Sequence, residues 1–337
     1  MKLLILGAGR MGIRHAAGAL GVENIESIIL ADIASGALDT AKRELDAYHE
    51  SNKLIYVLIN ELSSIKLDCT VAIISATAGS REQLCGFAIQ KGCKNILIEK
   101  PLGQSKEEVK NLSVFLKNAG VKGFVNLSMR LNRDFIALKS DLKNKSQFQG
   151  VKRFTLNSGA VGIGAKGIHY LDFIYFLTEA DSSKLIAGDI DEELIPSGRG
   201  EQFKDFGGWC VIEFFRAGTL VAKALLSIDA SSTVYGGLDI VGKHGRITLN
   251  ESTGKRVDYL RDENSQMPVQ RYNADYQPPS EKDFALPFLG DYTEIWLDGI
   301  SAGVDLLPSI DESIPVHNLM FDWLSFSRRY SGHYPIT

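Results

Sequence analysis

The stretch that decides the fold opens the chain and reads Met1-Lys2-Leu3-Leu4-Ile5-Leu6-Gly7-Ala8-Gly9-Arg10-Met11-Gly12. Leu3 to Leu6 form a short apolar run of the kind that makes a strand buried in a parallel sheet. The glycines then follow the spacing G-x-G-x-x-G, and a helical pattern continues as far as Leu20. Strand, glycine-rich turn and helix in this order predict the first unit of a doubly wound α/β domain.

This arrangement is typical of a dinucleotide site. Gly7 permits the tight turn, Gly9 lets the backbone approach a pyrophosphate, and Gly12 lets the helix pack against the strand. The first N–H groups of the helix, at Arg10 and Met11, would face the phosphate oxygens. The alternative is an ordinary glycine-rich turn, with Asp32 at the end of the second strand capping the next helix. The agreement of the strand, the helix and the spacing to Asp32 disfavours this alternative.

Three polar residues at the ends of predicted strands extend this site. Asp32 ends the second strand, where a carboxylate would accept hydrogen bonds from the adenosine ribose. It would also repel a 2′-phosphate, and no Arg or Lys stands at positions 33–36 to bind one. We therefore favour NAD(H) over NADP(H). Ser75 and Thr77 follow the fourth strand and could contact the cofactor, although an ordinary loop is an equal alternative.

The pattern along the chain predicts two domains. Up to residue 125, short apolar runs alternate with helical segments, which predicts a Rossmann-type, doubly wound parallel sheet. From 126 to 337, strand-like runs follow one another across short turns, which predicts an α+β domain. We expect an NAD(P)-binding domain over 1–125. A substrate-binding and oligomerisation domain over 126–337 would contain an open, mostly antiparallel sheet with helices on one face.

Composition excludes several classes of protein. The 337 residues carry a net charge of −4, so the protein lacks the positive charge that would attract a nucleic acid or an anionic membrane. No apolar run approaches the roughly 20 residues that span a bilayer, and the N-terminal run is too short for a signal peptide. A cytoplasmic protein is expected. The four cysteines and six histidines lack metal-site or disulfide spacing, so no metal is expected.

Three further motifs follow the glycine-rich turn in order. They are Glu99-Lys100-Pro101-Leu102 after the fifth strand, Val125-Asn126 with Arg130, and Gly167-Ile168-His169-Tyr170-Leu171-Asp172. With the glycine motif, they span residues 1–180 and make the chain similar to the glucose-fructose oxidoreductase, inositol dehydrogenase and MocA family. The α+β pattern of the later residues fits the second domain of that family. The resemblance implies an oxidoreductase that uses NAD(P).

The resemblance also implies residue roles. Lys100 would be catalytic beside the nicotinamide and the reacting hydroxyl or carbonyl, Glu99 could hold it in place, and Pro101 could follow a cis peptide. His169 would transfer a proton or bind substrate, and Asp172 would bind substrate or orient His169. The residue types suit the chemistry, because an alcohol that loses a hydride must also lose a proton. Taken alone, Lys100 is more typical of an ordinary loop, and His169 is more typical of a helix core.

The chain departs from the family at Ala165, where many members carry an aspartate. Either the chemistry rests on Lys100 and His169, with Lys166 binding an acidic or phosphorylated substrate, or part of the dehydrogenase machinery is lost. A solvated Lys166 is the plain alternative. Asn126 could bind the nicotinamide amide and Arg130 a substrate anion, although Arg130 could instead only bridge the domains.

These observations predict an NAD(P)-dependent oxidoreductase. It would transfer a hydride between nicotinamide and a hydroxyl or keto carbon of a sugar, cyclitol or nucleotide-sugar. The alternative is an NAD(H)-binding, non-catalytic sensor or regulator on the same fold. Both faces of the second sheet need cover, so we expect a homodimer or homotetramer through that sheet. The consecutive apolar positions behind this expectation are Cys210, Val211, Ile212, Phe214, Phe215, Ala224, Leu225 and Leu226.

Overall fold

The computed structural model describes residues 1–64, 68–197, 200–267, 276–286 and 289–337. Within this part of the chain, no helix combines the length and the apolar character that crossing a membrane requires. The helices and strands are, in chain order, β1 (Lys2–Leu6), α1 (Arg10–Leu20), β2 (Ser27–Asp32), α2 (Ser35–Leu45), β3 (Leu54–Leu58), β4 (Val71–Ile74), α3 (Arg81–Gln90), β5 (Asn95–Ile98), α4 (Lys106–Asn118), β6 (Lys122–Val125), α5 (Arg133–Asn144), β7 (Lys152–Ser158), α6 (Ile168–Thr178), β8 (Ser182–Pro196), β9 (Lys204–Arg216), β10 (Thr219–Ile228), β11 (Gly237–Val241), β12 (Gly245–Asn250), β13 (Lys255–Leu260), β14 (Ser280–Asp283), α7 (Leu289–Ser301) and α8 (Ile310–Leu324).

The first sheet is parallel throughout and has the order β3-β2-β1-β4-β5-β6. Leu3 to Leu6 of β1 are fully buried between β2 and β4, because helices cover both faces of a doubly wound sheet. The chain reverses direction across the sheet at β1 and β4. The loops that follow β1 and β4 therefore diverge at the carboxyl edge of the sheet, and nucleotides bind in the crevice between such loops in this architecture. The predicted Rossmann fold is confirmed.

The second sheet has eight strands in the order β14-β13-β12-β11-β7-β10-β9-β8, and only β7 and β10 pair in parallel. Burial alternates along β9, where Cys210, Ile212 and Phe214 are fully buried. Helix α6 packs on this side, with the rings of Tyr175 and Phe214 5.1 Å apart. The predicted mostly antiparallel α+β fold is confirmed. The sequence did not predict β8, an edge strand of 15 residues with many polar side chains.

The chain forms two compact units whose boundary differs from the predicted division at 125/126. The first unit comprises Met1–Leu131, Pro287–Ile314 and Thr337, and the second comprises Asn132–Leu286 and Pro315–Ile336. The predicted second domain is therefore not one unit. Its helix α7 returns to the first unit because fully buried Trp296 joins that unit's apolar core. A Cβ on Gly18 of α1 would lie 2.1 Å from the carbonyl oxygen of Gly290, so the two helices touch through glycine backbone.

Candidate nucleotide and active site

The three glycines of the first turn have three different surroundings. Gly7 has φ +110°, a conformation that glycine adopts without strain. A Cβ on Gly12 would lie 1.8 Å from the carbonyl oxygen of Gly7, so helix and turn approach as closely as backbone allows. A Cβ on Gly9, in contrast, would meet no described atom within 4 Å. The space beside Gly9 is therefore not needed for folding.

The N-terminus of α1 suits an anionic ligand. The helix begins at Arg10, no side chain among the described residues caps it, and its first turn carries no acidic residue. Arg10 is exposed and Met11 half-buried. The first N–H groups of a helix lack partners within the helix and carry a partial positive charge. Together with the space beside Gly9, they fit the pyrophosphate of a dinucleotide.

Asp32 fastens two loops at the end of β2. Its Oδ2 accepts a hydrogen bond from the backbone N–H of Ala8 at 2.7 Å, and its Oδ1 accepts one from Ala34 at 2.9 Å. Each carboxylate oxygen can accept more than one hydrogen bond, so these contacts leave acceptor capacity for ribose hydroxyls. Asp32 thus holds the glycine-rich turn, a role the sequence did not indicate, and its cofactor role stays a prediction.

Ser75 and Thr77 lie differently after β4. Ser75 is buried, and its hydroxyl donates to the carbonyl oxygens of Gly7 at 2.7 Å and Leu6 at 3.2 Å. Ser75 therefore braces the first turn from the neighbouring strand, and any contribution to the cofactor site comes through Gly7. Thr77 is half-buried and immediately precedes a short 3-10 helix over Ala78–Ser80. Its predicted contact with the cofactor stays a prediction.

A buried polar cluster surrounds Glu99, at the end of β5. Its Oε1 accepts a hydrogen bond from the Asn126 side-chain amide at 2.7 Å and lies 3.0 Å from Nε2 of His15. Because a carboxylate can only accept, Nε2 of His15 carries the hydrogen in this contact. Nδ1 of His15 lies 2.8 Å from the hydroxyl of Thr293, on α7. No sequence pattern indicated His15 or Thr293, and both residues are almost fully buried.

The electrostatics of the cluster keep Glu99 ionised. Burial alone would raise the pKa of its carboxyl, but the hydrogen bond and charge of His15, the charge of Lys100 and the amide of Asn126 together lower this pKa well below its ordinary value. Its Oε2 is buried and has no hydrogen-bond partner among the described residues. The first unit thus holds a fixed negative charge directly beside Lys100.

Lys100 and its neighbour occupy the carboxyl edge of the first sheet. The Lys100–Pro101 peptide is cis, as the resemblance implied, and Lys100 is 8% exposed. The carbonyl oxygen of Lys100 accepts a hydrogen bond from the Arg81 guanidinium at 3.4 Å. Arg81 also donates to the carbonyl oxygen of Ala76 at 3.4 Å. This buried guanidinium therefore links the loops that follow β4 and β5.

In the second unit, His169 and Asp172 lie in the first turns of α6, one helical turn apart. Asp172 is fully buried, whereas His169 is half-buried. Residues three apart share a helix face, so the two side chains can act together. The structure is compatible with the proton-transfer role implied for His169, and this role stays a prediction.

Asp205 holds the turn that leads into α6. Residues Ile163–Gly167 form a π-helical turn, and the Asp205 carboxylate accepts hydrogen bonds from the backbone N–H groups of Gly164 at 2.8 Å and Ala165 at 2.7 Å. A Cβ on Gly162 would lie 2.2 Å from Asp205 Cγ, so glycine makes room for this carboxylate. No sequence pattern indicated Asp205. It contacts the backbone at the position where the family's usual aspartate is replaced by Ala165.

Lys166 is neither solvated nor available as an isolated charge. Its Nζ lies 2.5 Å from Oε2 of Glu251, and only 15% of the Lys166 side chain is exposed. Oε1 of Glu251 accepts a hydrogen bond from the Tyr170 hydroxyl. Glu251, 85 residues away in sequence, therefore already occupies the ammonium group that was predicted to bind an anionic substrate.

The candidate residues fall into two groups. The first unit contains all the cofactor-binding candidates together with Lys100 and Arg130. The second unit contains Lys166, His169 and Asp172. Arg130 lies half-buried in a 3-10 helix over Ser128–Leu131, and its role stays a prediction. Across the residues that the structure describes, no three His, Cys, Asp or Glu side chains are grouped to hold a metal.

Comparison with known proteins agrees with this architecture. Residues 1–127 match the model of the Gfo/Idh/MocA family, described as an oxidoreductase family with an NAD-binding Rossmann fold. No curated protein sequence matches the chain.

Solved structures resemble the whole chain. One is an oxidoreductase from Agrobacterium radiobacter in complex with NAD+, L-tartaric acid and magnesium, with a TM-score of 0.70, 16% identity, and coverage of 98% of this chain and 96% of the other. A putative myo-inositol dehydrogenase from Sinorhizobium meliloti has a TM-score of 0.67 and a sequence identity of 17%, with 97% of each chain covered. UDP-N-acetylglucosamine 3-dehydrogenase from Acidithiobacillus ferrooxidans has a TM-score of 0.68 and a sequence identity of 14%, again with 97% of each chain covered. At these identities the likeness establishes the fold.

Proposed function

We propose that the chain is an NAD-dependent dehydrogenase or reductase, from the premise that residues 1–127 match the model of the Gfo/Idh/MocA oxidoreductase family. Its substrate is a sugar, a cyclitol or a nucleotide-sugar, and a hydride moves between nicotinamide and a hydroxyl or keto carbon. Similar structures described as a putative myo-inositol dehydrogenase and a UDP-N-acetylglucosamine 3-dehydrogenase support this substrate class.

One observation carries the proposal. Lys100 lies at the carboxyl edge of the nucleotide-binding sheet, directly after Glu99, whose carboxylate His15 and Asn126 hold in place. A buried polar cluster of this kind fixes its members in one arrangement. Because Lys100 directly follows Glu99 in the chain, the cluster holds the backbone next to Lys100, which supports a role for this lysine in proton transfer.

The mechanism follows from these residues. The bound nicotinamide supplies the hydride acceptor or donor. In the oxidative direction, Nζ of Lys100 accepts the proton of the substrate hydroxyl, and in the reductive direction it returns a proton to the carbonyl oxygen. The charge of Lys100 attracts the Glu99 carboxylate and helps to lower its pKa, so a negative charge lies next to the lysine in the chain. His169 assists by binding the substrate or transferring a proton, and Asp172 orients it.

We propose NAD(H) as the cofactor in preference to NADP(H). Asp32 ends β2, at the strand end where this fold generally binds the adenosine ribose, and a negative charge there would oppose a 2′-phosphate. Its two backbone contacts fix the carboxylate in place.

The test is Lys100→Met with Lys110→Met as its matched control, since Lys110 is an exposed residue of α4. NADH binding is measured by tryptophan fluorescence, and turnover is screened with sugars and cyclitols. We expect Lys100→Met to keep NADH binding and lose about 10²–10⁴-fold in turnover, the usual contribution of a general acid or base. Lys110→Met should resemble the wild type. Full turnover by Lys100→Met contradicts the assignment.

Ala165 favours a second candidate, a non-catalytic NAD(H)-binding sensor. This protein would bind NADH without turning over any sugar, and a protein partner would bind with an affinity that depends on the cofactor. Introducing the family's aspartate, Ala165→Asp, separates the two candidates. Under the sensor hypothesis, this variant gains turnover that the wild type lacks.

We also propose a homodimer or homotetramer formed through the second sheet. Leu225 and Trp209 are each 42% exposed, and Leu225 pairs with Val211 across β9 and β10. These residues lie on the face opposite buried Ile212 and Ala224. Light scattering at micromolar concentration should show an oligomer, and Leu225→Glu should dissociate it, because a charge in an apolar interface is costly. A monomeric wild type contradicts this proposal.

A further inference from the structure

Lys166 and Glu251 form a compact, mostly buried ion pair in the second unit. Lys166 Nζ lies 2.5 Å from Glu251 Oε2, with 15% and 10% of the two side chains exposed. Tyr170 donates its hydroxyl hydrogen to the other carboxylate oxygen. Lys166 lies in the π-helical turn over Ile163–Gly167, Tyr170 lies four residues later in the first turn of α6, and Glu251 directly follows β12. Both oxygens of Glu251 are thus engaged by groups from one helical segment.

The cluster carries no net charge. The ammonium and carboxylate charges cancel, and burial raises the pKa of Tyr170 well above its usual value, an effect that the negative charge of Glu251 increases. The phenol therefore stays neutral. An anion that approached the Lys166 ammonium would also approach the Glu251 carboxylate, and Coulomb attraction and repulsion over such similar distances are of comparable size. The anion would lose water without a compensating gain.

A neutral hydroxyl group suits the same cluster better. An ammonium has three N–H donors, and one of them serves Glu251. The others can donate to the lone pairs of a hydroxyl oxygen. Tyr235 adds an aromatic ring that is 56% exposed, and Nζ of Lys166 lies 4.7 Å from its centroid. An exposed ring with a polar rim is an amphipathic surface that suits the apolar face of a carbohydrate ring.

We propose that Lys166, Glu251, Tyr170 and Tyr235 form a subsite for an uncharged, hydroxyl-bearing ring. Glu251 is the specificity-determining residue, because it neutralises Lys166 and thereby excludes phosphate and carboxylate groups from this position. The inference rests on the proposed function and narrows its substrate class to one that presents a neutral ring here. A neutral ring thus takes the place of the acidic or phosphorylated substrate that the sequence suggested for Lys166.

The test measures binding to the NAD-saturated protein by thermal shift and calorimetry. The neutral probe is myo-inositol, and the anionic probes are inorganic phosphate and myo-inositol 1-phosphate. The variants are Glu251→Gln, which leaves Lys166 without its counter-charge, and the double variant Lys166→Met/Glu251→Gln, which removes both charges. A phosphate site elsewhere in the protein would persist in the double variant, so this variant is the control.

We expect the wild type to bind myo-inositol more tightly than either anion. Glu251→Gln should raise the affinity for the two phosphate probes at least about tenfold, because it removes a single opposing charge next to the ammonium. The double variant should lose this gain. The inference is wrong if the wild type prefers the phosphate probes, if Glu251→Gln leaves the preference unchanged, or if no probe binds any variant. Failure of the proposed function is distinguishable, since it would appear as absent NADH binding or absent turnover.

Discussion

Replacing His15 by leucine tests whether the cluster around Glu99 holds a buried charge. The substitution removes the hydrogen-bond donor at 3.0 Å from Glu99 Oε1 and the contact with Thr293 at 2.8 Å, while filling the site with an apolar side chain. Glu99 is 1% exposed, so water cannot replace the lost donor. The carboxylate would keep only the Asn126 amide and the charge of Lys100.

The expected cost follows from these contacts. Breaking a buried ion pair by removing one partner costs about 3–5 kcal/mol. The retained Asn126 bond places His15→Leu near the lower end, at about 3 kcal/mol, which for a unit of this size lowers Tm by about 6–12 °C. Glu99→Gln removes the carboxylate charge but keeps a side-chain oxygen that can accept from His15 and Asn126, so it should cost only about 1–2 kcal/mol.

The decisive measurement is the double variant His15→Leu/Glu99→Gln in urea unfolding. Neutralising Glu99 removes the charge that His15→Leu leaves without its partner, so the double variant should be more stable than His15→Leu alone. A double variant that is less stable than His15→Leu refutes the reasoning, since the two effects would then simply add.

The same cluster predicts a pH dependence. The pKa of Glu99 lies below its ordinary value of 4.5 in the folded protein, so its contribution to stability is complete above pH 4.5. The contribution is lost as the pH falls through the folded pKa, because the unfolded state then binds the proton more readily. The stability difference between wild type and Glu99→Gln should therefore shrink below pH 4.5. A difference that stays constant down to the acid-unfolding range contradicts the low folded pKa.

Three further substitutions test the nucleotide site and the returning helix. Gly9→Ala adds a methyl group to open space, so it should leave the free energy of unfolding within about 0.5 kcal/mol but weaken NADH binding at least about tenfold. Gly36→Ala, equally open in the structure, is its control and should leave NADH binding unchanged. Asp32→Ala should raise the NADH dissociation constant about 10–100-fold and reduce discrimination against NADPH, measured by fluorescence titration. Gly18→Ala drives a methyl group into the Gly290 carbonyl and should destabilise the protein by about 3 kcal/mol in urea unfolding; a neutral result would contradict the close helix contact.

Local signals in the sequence were sufficient for the nucleotide-binding half of the fold. A buried apolar run, three glycines and Asp32 at the end of β2 lie within the first 32 residues, so the pattern contains the whole motif. The strands of the second sheet were mostly predicted, because alternating apolar residues such as Ile212 and Phe214 mark a buried face. β8 was missed because an edge strand with polar side chains lacks that alternation.

Contacts between distant residues could not be predicted. His15 meets Thr293 across 278 residues and Glu99 across 84, and a single helical histidine gives no indication of either partner. Glu251 lies in a turn, and a charged residue in a turn is ordinarily solvent-exposed. The sequence around Glu251 therefore gives no indication that it pairs with Lys166. The helix α7 was predicted, but its apolar face fits either unit equally well by pattern alone, so its place in the first unit depends on tertiary packing.

The return of α7 determines when the first unit can finish folding. The core beneath α1 is closed by Trp296 and Leu297, which the ribosome adds long after the glycine-rich turn has emerged. Until then the nascent chain exposes the apolar surface that these side chains cover, including the ring of Phe124, whose centroid lies 5.9 Å from that of Trp296 in the folded protein. The nucleotide-binding unit therefore completes its core after the whole strand sequence of the second sheet has been synthesised. A gene fragment that encodes only the first 131 residues will yield an aggregation-prone product rather than an isolated nucleotide-binding domain.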